Sequence, residues 1–226
     1  MTKLNFVTAC VGGYPMHYAN VMHRMVRRNL NRDFDSYCIT DRPAELDAEI
    51  TPLEPFLNVT GWWNKTLAFS PNMPPGINFL FDIDLVIVGN ITEEINFCID
   101  NFTEMATYRD ANGWMGSVMS SSFMMFKTGE LTHIFEDFKR NWPALEDFSG
   151  GDQVWLWPKL KDVMFVDDQF PLFKKSFKFD LAKLRPDGSG ADVPKTVDPS
   201  VKIIDFHGVP KPHQLLDWPL VRQHWN

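Results

Sequence analysis

From Leu4 to Val11 the chain runs through apolar residues with Val, Phe and Thr and stops at Gly12-Gly13. A short continuous apolar run closed by a glycine turn predicts a buried strand entering a loop. The period then changes. From Tyr18 to Leu30, Val21, Met22, Met25, Val26 and Leu30 recur at helical spacing, while Arg24, Arg27 and Arg28 take the other side; this predicts an amphipathic helix. Ser36 to Thr40 reads as a second strand, ended by Asp41-Arg42-Pro43. Strand, helix and strand in this order predict an α/β fold with a mainly parallel sheet flanked by helices.

Further along, Trp62 to Phe69 suits a helical turn or two, and Pro71 to Gly76 is a proline-rich loop. Ile77 to Asn90 is apolar enough for a buried strand, and Ser117 to Phe126 for another. Glu130 to Asn141 places Leu131, Ile134, Phe135 and Phe138 on one helical face. Asp152 to Leu160 reads as a short aromatic helix after Gly150-Gly151, and Lys202 to Phe206 as a last strand ending at His207-Gly208. Arg185 to Pro199, rich in Pro, Gly and Asp, predicts a mobile surface loop or lid.

At 226 residues the chain suits one domain, residues 1–226. Its 29 acidic and 22 basic residues leave a formal charge of -7. That balance gives no global attraction to nucleic acid or anionic lipid, so an anionic ligand must be met by local cations or a metal. Cys10, Cys38 and Cys98 lie far apart in apolar sequence, which predicts reduced core thiols. With no signal-peptide pattern and no run of about 18 apolar residues, the expected location is the cytoplasm, with no integral membrane segment.

The chemistry concentrates in Phe81-Asp82-Ile83-Asp84. Burying an ionised carboxylate is costly unless it is paired, hydrogen-bonded or metal-bound, so two of them inside an apolar run mark a site. Residues i and i+2 of an extended chain face the same way, and Asp82 and Asp84 are therefore placed to share one divalent cation. Asp33-Phe34-Asp35 has the same spacing but lies in polar sequence after the first helix, where solvated carboxylates need no explanation. In an open α/β sheet, ligands gather beyond the carboxyl ends of the strands. Thr8 to Gly13, Asp41, the Asp82 and Asp84 pair, and His207-Gly208 all fall at such ends. Gly-x-Gly-x-x-Gly and the P-loop lysine pattern are both absent, which disfavours dinucleotide and Walker-type binding. His207-Gly208-Val209-Pro210-Lys211-Pro212-His213 forms a turn that brings an imidazole and an ammonium near one point. Two carboxylates and an imidazole leave open positions on Mn²⁺ or Mg²⁺ for diphosphate oxygens.

In order, Cys38-Ile39-Thr40-Asp41, Gly61-Trp62-Trp63-Asn64-Lys65, Phe81-Asp82-Ile83-Asp84, Gly151-Asp152-Gln153 and Phe206-His207-Gly208 with Lys211-Pro212 resemble the GT-A nucleotide-sugar glycosyltransferases, family 8 in particular. The resemblance implies a Rossmann-like GT-A fold in which Asp82, Asp84 and His207 bind Mn²⁺ (or Mg²⁺). The backbone of Thr8, Ala9 and Cys10, with Asp41, would hold a uridine-like nucleoside, while Gly208 and Lys211 would meet the diphosphate. Lys65 either reaches the donor phosphates or packs its stem on Trp62 or Trp63, and the tryptophans themselves read more readily as core than as sugar platforms. Asp152 and Gln153 would lie beside the donor sugar, hydrogen-bonding hydroxyls and stabilising charge at the anomeric carbon, although Asp152 also fits a helix N-cap.

Two departures qualify the match. The terminal motif, His-Gly-x-x-Lys-Pro-His, is tighter than the family's His-x-x-Gly-x-x-Lys-Pro-Trp, and Ser120-Ser121-Ser122 stands where relatives have an Asn-Ser pair. The activity implied is metal-dependent transfer of a hexose from a nucleoside diphosphate sugar, UDP-linked, to a glycan or small acceptor with retention at the anomeric carbon. The alternatives are a metal-dependent sugar nucleotidyltransferase and a catalytically silent nucleotide-sugar binding module. Acceptor contacts are expected from the Arg185 to Pro199 loop and from Trp218 to Trp225.

Overall fold

A computed structural model describes residues 3–55, 58–59, 61–110, 113–142, 144–184 and 191–226. The first half runs β1 (Leu4–Ala9), α1 (His17–Asn29), β2 (Asp35–Ile39), β3 (Thr51–Leu53), a 3-10 helix (Gly61–Phe69), β4 (Ile77–Phe81), β5 (Leu85–Ile87) and α2 (Thr92–Asn101). The second half continues with β6 (Met105–Arg109), β7 (Met119–Lys127), α3 (Thr132–Asn141), α4 (Gly151–Leu156), β8 (Val163–Phe165), β9 (Lys174–Ser176), β10 (Lys183–Leu184), β11 (Ala191–Asp192), β12 (Ile203–Asp205) and α5 (Pro219–His224).

Seven strands form the main sheet in the order β3-β2-β1-β4-β7-β6-β8. The β3-β2, β2-β1, β1-β4 and β6-β8 pairs are parallel, whereas β7 runs antiparallel to β4 and β6. The central strands β1 and β4 are almost wholly buried, as expected where helices cover both faces. Alternation then divides the core. Phe6, Phe79, Phe81 and Phe123 face α1, whose Val21, Met22, Met25 and Val26 are buried. Val7, Leu80, Met124 and Phe126 turn to the other face, toward Trp63 and Leu67 of the 3-10 helix and Phe135 and Phe138 of α3. The three cysteines are free and buried.

The Ile77 to Asn90 run is not one strand. β4 ends at Phe81, the chain turns over Asp82, Ile83 and Asp84, and β5 enters a second sheet ordered β5-β12-β9. Two carboxylates within the run have no compensation inside a sheet, so the ladder breaks where they fall. The hydrogen bond from the Leu85 N–H to the Asp82 carbonyl, 3.4 Å, closes that turn. The Arg185 to Pro199 segment is not wholly irregular, because β10 and β11 pair antiparallel at its base; residues 185–190, where a lid is expected, lie outside the described residues. Trp218 and Trp225 are core residues, 3% and 8% exposed, so the two ends of the Trp218 to Trp225 segment pack inward.

Candidate active site

β1 delivers the chain into a loop, Val11 to Pro15, at its carboxyl end, with Gly12 in the left-handed region at φ 75°. The loop lines a cavity of about 660 Å³ together with Asp41, Lys211 and His213. Asp41, just beyond β2, accepts the Gly12 N–H at 3.2 Å and so fixes the loop. Arg42 donates to the Tyr14 carbonyl at 2.5 Å, and Tyr18 hydrogen-bonds His213 at the cavity edge. The residues expected to hold the nucleoside by their backbone are placed differently. The Thr8 hydroxyl is buried against His23 Nε2 at 3.0 Å, and the Cys10 N–H donates to the Ile39 carbonyl at 2.9 Å. Thr8 and Ala9 thus end β1 inside the sheet, Cys10 follows it, and the residues from Val11 to Pro15 form the wall. Burial drives the His23 pKa down to about 3, so that imidazole is neutral.

A second cavity, about 890 Å³, adjoins the first through Tyr14 and Lys211, which line both. Its inner end is built around Lys65. This ammonium lies 3.0 Å from Asp82 and 2.9 Å from Asp152, and donates to the Ser121 hydroxyl at 2.8 Å. The 3-10 helix, the turn after β4 and the start of α4 therefore converge on one buried cation. The Lys65 ammonium is thus engaged by carboxylates of the site itself. Asp152 is not a helix cap: α4 starts one residue earlier, at Gly151, and its cap position, Gly150, makes no side-chain bond. The Asp152 Oδ2 oxygen is the one that faces the ammonium. Gln153 donates to Asp110 at 3.2 Å.

Asp84 is ion-paired with Lys211, which also donates to the Phe206 carbonyl at 3.4 Å. Farther along the wall, Lys174 lies 3.1 Å from Asp205 and donates to the Ser120 and Ser122 hydroxyls at 3.1 and 3.0 Å. The three serines at the Asn-Ser position thus serve two lysines, Ser121 one and its neighbours the other. Lys174 and Asp205 carry little sequence signal. Lys174 lies in a three-residue polar strand with no apolar period, and Asp205 precedes His207 by two residues. Strand pairing sets Asp205 opposite Leu85, next in chain to Asp84.

These pairings fix the charge states. Burial pushes the Asp82 carboxyl up to about 7, with Lys65 opposing and the Asp84 and Asp152 charges adding to the rise. Asp84 is raised too, by burial first, against Lys211 and with Asp205 adding. Burial works against the Lys65 ammonium, but Asp152 and Asp82 outweigh it and hold its pKa above the ordinary lysine value. Asp205 moves the other way: burial would raise it, yet Lys174 and then His207 bring it below the usual carboxylate range.

Four carboxylates, Asp82, Asp84, Asp152 and Asp205, therefore face three ammonium groups, Lys65, Lys211 and Lys174. The all-oxygen donors suit a hard divalent cation. His207 does not join them: its Nε2 is 2.8 Å from the Ser176 hydroxyl and its ring stacks on Phe179, with centroids 5.1 Å apart. As the side chains stand, no three His, Cys, Asp or Glu residues among the described ones are gathered to hold a metal ion. Each carboxylate of the Asp82 and Asp84 pair is held by a lysine instead.

Solved structures decide the architecture. GlyE, a glycosyltransferase of Streptococcus pneumoniae TIGR4, superposes with a TM-score of 0.67 over 98% of this chain at 14% identity; the chain spans 63% of GlyE. The fold is that of the GT-A glycosyltransferases. The galactosyltransferase LgtC, crystallised with donor and acceptor sugar analogues, matches at a TM-score of 0.60 and 13% identity over 98% of this chain and 96% of its own. WbbM, a bifunctional glycosyltransferase, gives 0.60 at 10% identity over 93% of this chain and 47% of its own. No protein-family model and no curated protein matches the chain. Among the described residues no helix is long and apolar enough to cross a membrane.

Proposed function

We propose that the protein is a hexosyltransferase acting on a nucleoside diphosphate sugar, UDP-linked, with a glycan or small molecule as acceptor. One observation carries this reading: two cavities meet at Lys211, one walled by the loop after β1 and Asp41 and the other floored by lysine and carboxylate pairs. A donor lying across that junction sets its nucleoside beside Gly12, Gly13 and Asp41. Its diphosphate then meets Lys211, which exchanges Asp84 for phosphate oxygens. Its sugar falls against Lys65, Asp152 and Gln153, whose polar groups suit sugar hydroxyls.

Asp82 and Asp84 are the residues to hold a Mn²⁺ or Mg²⁺ ion, which supplies a Lewis acid for the departing diphosphate. Asp205 adds a third carboxylate beside Asp84, and His207 joins the set only by giving up Ser176. The lysines do the rest. Lys211 neutralises the leaving diphosphate, and Lys65, fixed between Asp82 and Asp152, holds both carboxyl groups in place near the anomeric carbon as positive charge develops there. Retention is taken from the resemblance to family 8, and would proceed by front-face departure and attack assisted by the departing diphosphate.

The test is incubation with UDP-hexoses and Mn²⁺, with the first product read by proton NMR. Free UDP and an α-linked product from an α-linked donor are expected. An inverted product removes the retention clause. Pyrophosphate release from a nucleoside triphosphate and a sugar phosphate replaces the reading with nucleotidyl transfer, and binding of UDP-sugar with neither hydrolysis nor transfer reduces it to a binding module.

A further inference from the structure

Trp62 and Trp63 are neighbours on one helix with opposite surroundings. Trp63 is 2% exposed and packs its indole against Phe138, Trp155 and Trp142, with ring centroids 5.9, 6.0 and 6.3 Å away. Trp62 is 58% exposed and lines the 890 Å³ cavity. A large apolar side chain left in solvent forgoes the free energy of burial. One that lines a cavity rich in polar side chains marks a ligand contact.

Its placement says which ligand. In a 3-10 helix residues i and i+3 share a face, so Trp62 projects on the same side as Lys65, and both line the cavity. Lys65 and its partner Asp152 are buried, 6% and 7% exposed, whereas Trp62 stands toward solvent. The indole lies against Gly151: a side-chain carbon at that position would be 3.4 Å from the indole Nε1, and φ of +69° at Gly151 disfavours any other residue. The wall beside the indole is thus bare backbone, followed directly by Asp152 and Gln153. The three residues form one path from the charged floor to the mouth.

We propose that Trp62 is the stacking platform for a neutral pyranose ring of the acceptor, its indole covering the apolar C–H face of the sugar while Gln153 and the backbone at Gly150 and Gly151 meet its hydroxyls. This rests on the nucleotide-sugar reading above. The donor's nucleoside has its own cavity beyond Tyr14, and the donor's sugar takes the buried end at Lys65, leaving the exposed end for the molecule that enters last. The acceptor ring is neutral because the carboxylates of Asp82 and Asp152 lie at the end of the path and the Lys65 ammonium is already committed to them. The sequence pattern favours core for both tryptophans; the structure divides them.

The test follows indole N–H resonances of the full chain by NMR, with Trp62 assigned through Trp62→Phe. Methyl pyranosides of glucose, galactose, mannose and N-acetylglucosamine are titrated in the presence of UDP and Mn²⁺. The Trp62 resonance is expected to shift saturably with at least one pyranoside. Trp62→Ala is expected to weaken that pyranoside by about tenfold while UDP affinity stays within about twofold. A Trp62 signal unmoved by all four glycosides overturns the inference. So does a signal that answers only to UDP-glucose, which would put the donor's own sugar on the indole. The two readings separate in the same titration: UDP binding with a silent Trp62 strikes the platform alone, whereas failure of the unaltered protein to bind UDP strikes both.

Discussion

The chain contains two Asp-x-Asp sequences, and the fold sends them to opposite ends of the sheet. Asp33 and Asp35 are exposed where β2 begins, with Asp35 meeting a half-exposed Lys3 at 2.5 Å. A cavity of about 710 Å³ opens there too, lined by Lys3, Arg27, Arg32, Asp33 and Asp35. Asp82 and Asp84 leave β4 at its carboxyl end, largely withdrawn from water and each in contact with a lysine. Spacing and cavity size do not separate the two pairs. Burial does, because carboxylates removed from water need partners and their pKa values move, while solvated ones are indifferent to theirs.

Replacement of the shared lysine makes the contrast sharpest. Lys65→Met leaves Asp82 and Asp152 without their common partner and should cost about 3–5 kcal/mol in urea denaturation; a loss below about 1 kcal/mol means the pairing stabilises nothing. Next in size is Asp84→Asn, expected to abolish metal-dependent UDP binding and lower kcat/KM by about a hundredfold with the circular dichroism spectrum unchanged. Near-normal turnover would assign the carboxylates another task. Lys211→Ala should weaken UDP binding by about tenfold in calorimetry, and equal affinity would take Lys211 off the diphosphate.

A smaller effect separates the pairs by pH. Asp82 is raised from 3.8 to about 7, so the folded protein keeps a proton that the unfolded chain has released across that range. Its contribution makes stability fall as pH rises from about 4 to 7. Asp82→Asn removes that slope and should lose less stability between about pH 4.5 and pH 7 than the unaltered protein; matching slopes contradict the shift. Asp205, whose pKa is depressed, acts only at lower pH, where its stabilising charge is lost as it protonates. Smallest of all is Asp35→Asn, expected to leave both the melting temperature and UDP affinity unchanged. A measurable loss of UDP affinity there would undo the comparison.

Much of the frame was legible because it follows from period and punctuation. β1, α1, β2, β7 and α3 fall where the apolar spacing puts them. Residues 91–116 carry weaker patterns: α2 buries only Glu94, Ile95 and Cys98, and β6 is five residues long, so neither announces itself. Asp82, Asp84, Lys65, Asp152, Gln153, His207, Gly208 and Lys211 do line one cavity, and Asp41 lines its neighbour. The partners of each residue were not legible. Which lysine meets Asp205, and what lies beside Asp84, depends on β5, β9 and β12, three-residue strands joined across long sequence separation. His207 bonding Ser176 and Thr8 turning to His23 are likewise settled by packing between distant segments.

Calorimetric titration of the protein with UDP, with Mn²⁺ and then with a chelator, shows whether the junction at Lys211 accepts a nucleoside diphosphate. One site that binds UDP with Mn²⁺ and weakens sharply on chelation is the predicted result. No binding heat with or without the ion, across the temperatures at which the protein is folded, would contradict it.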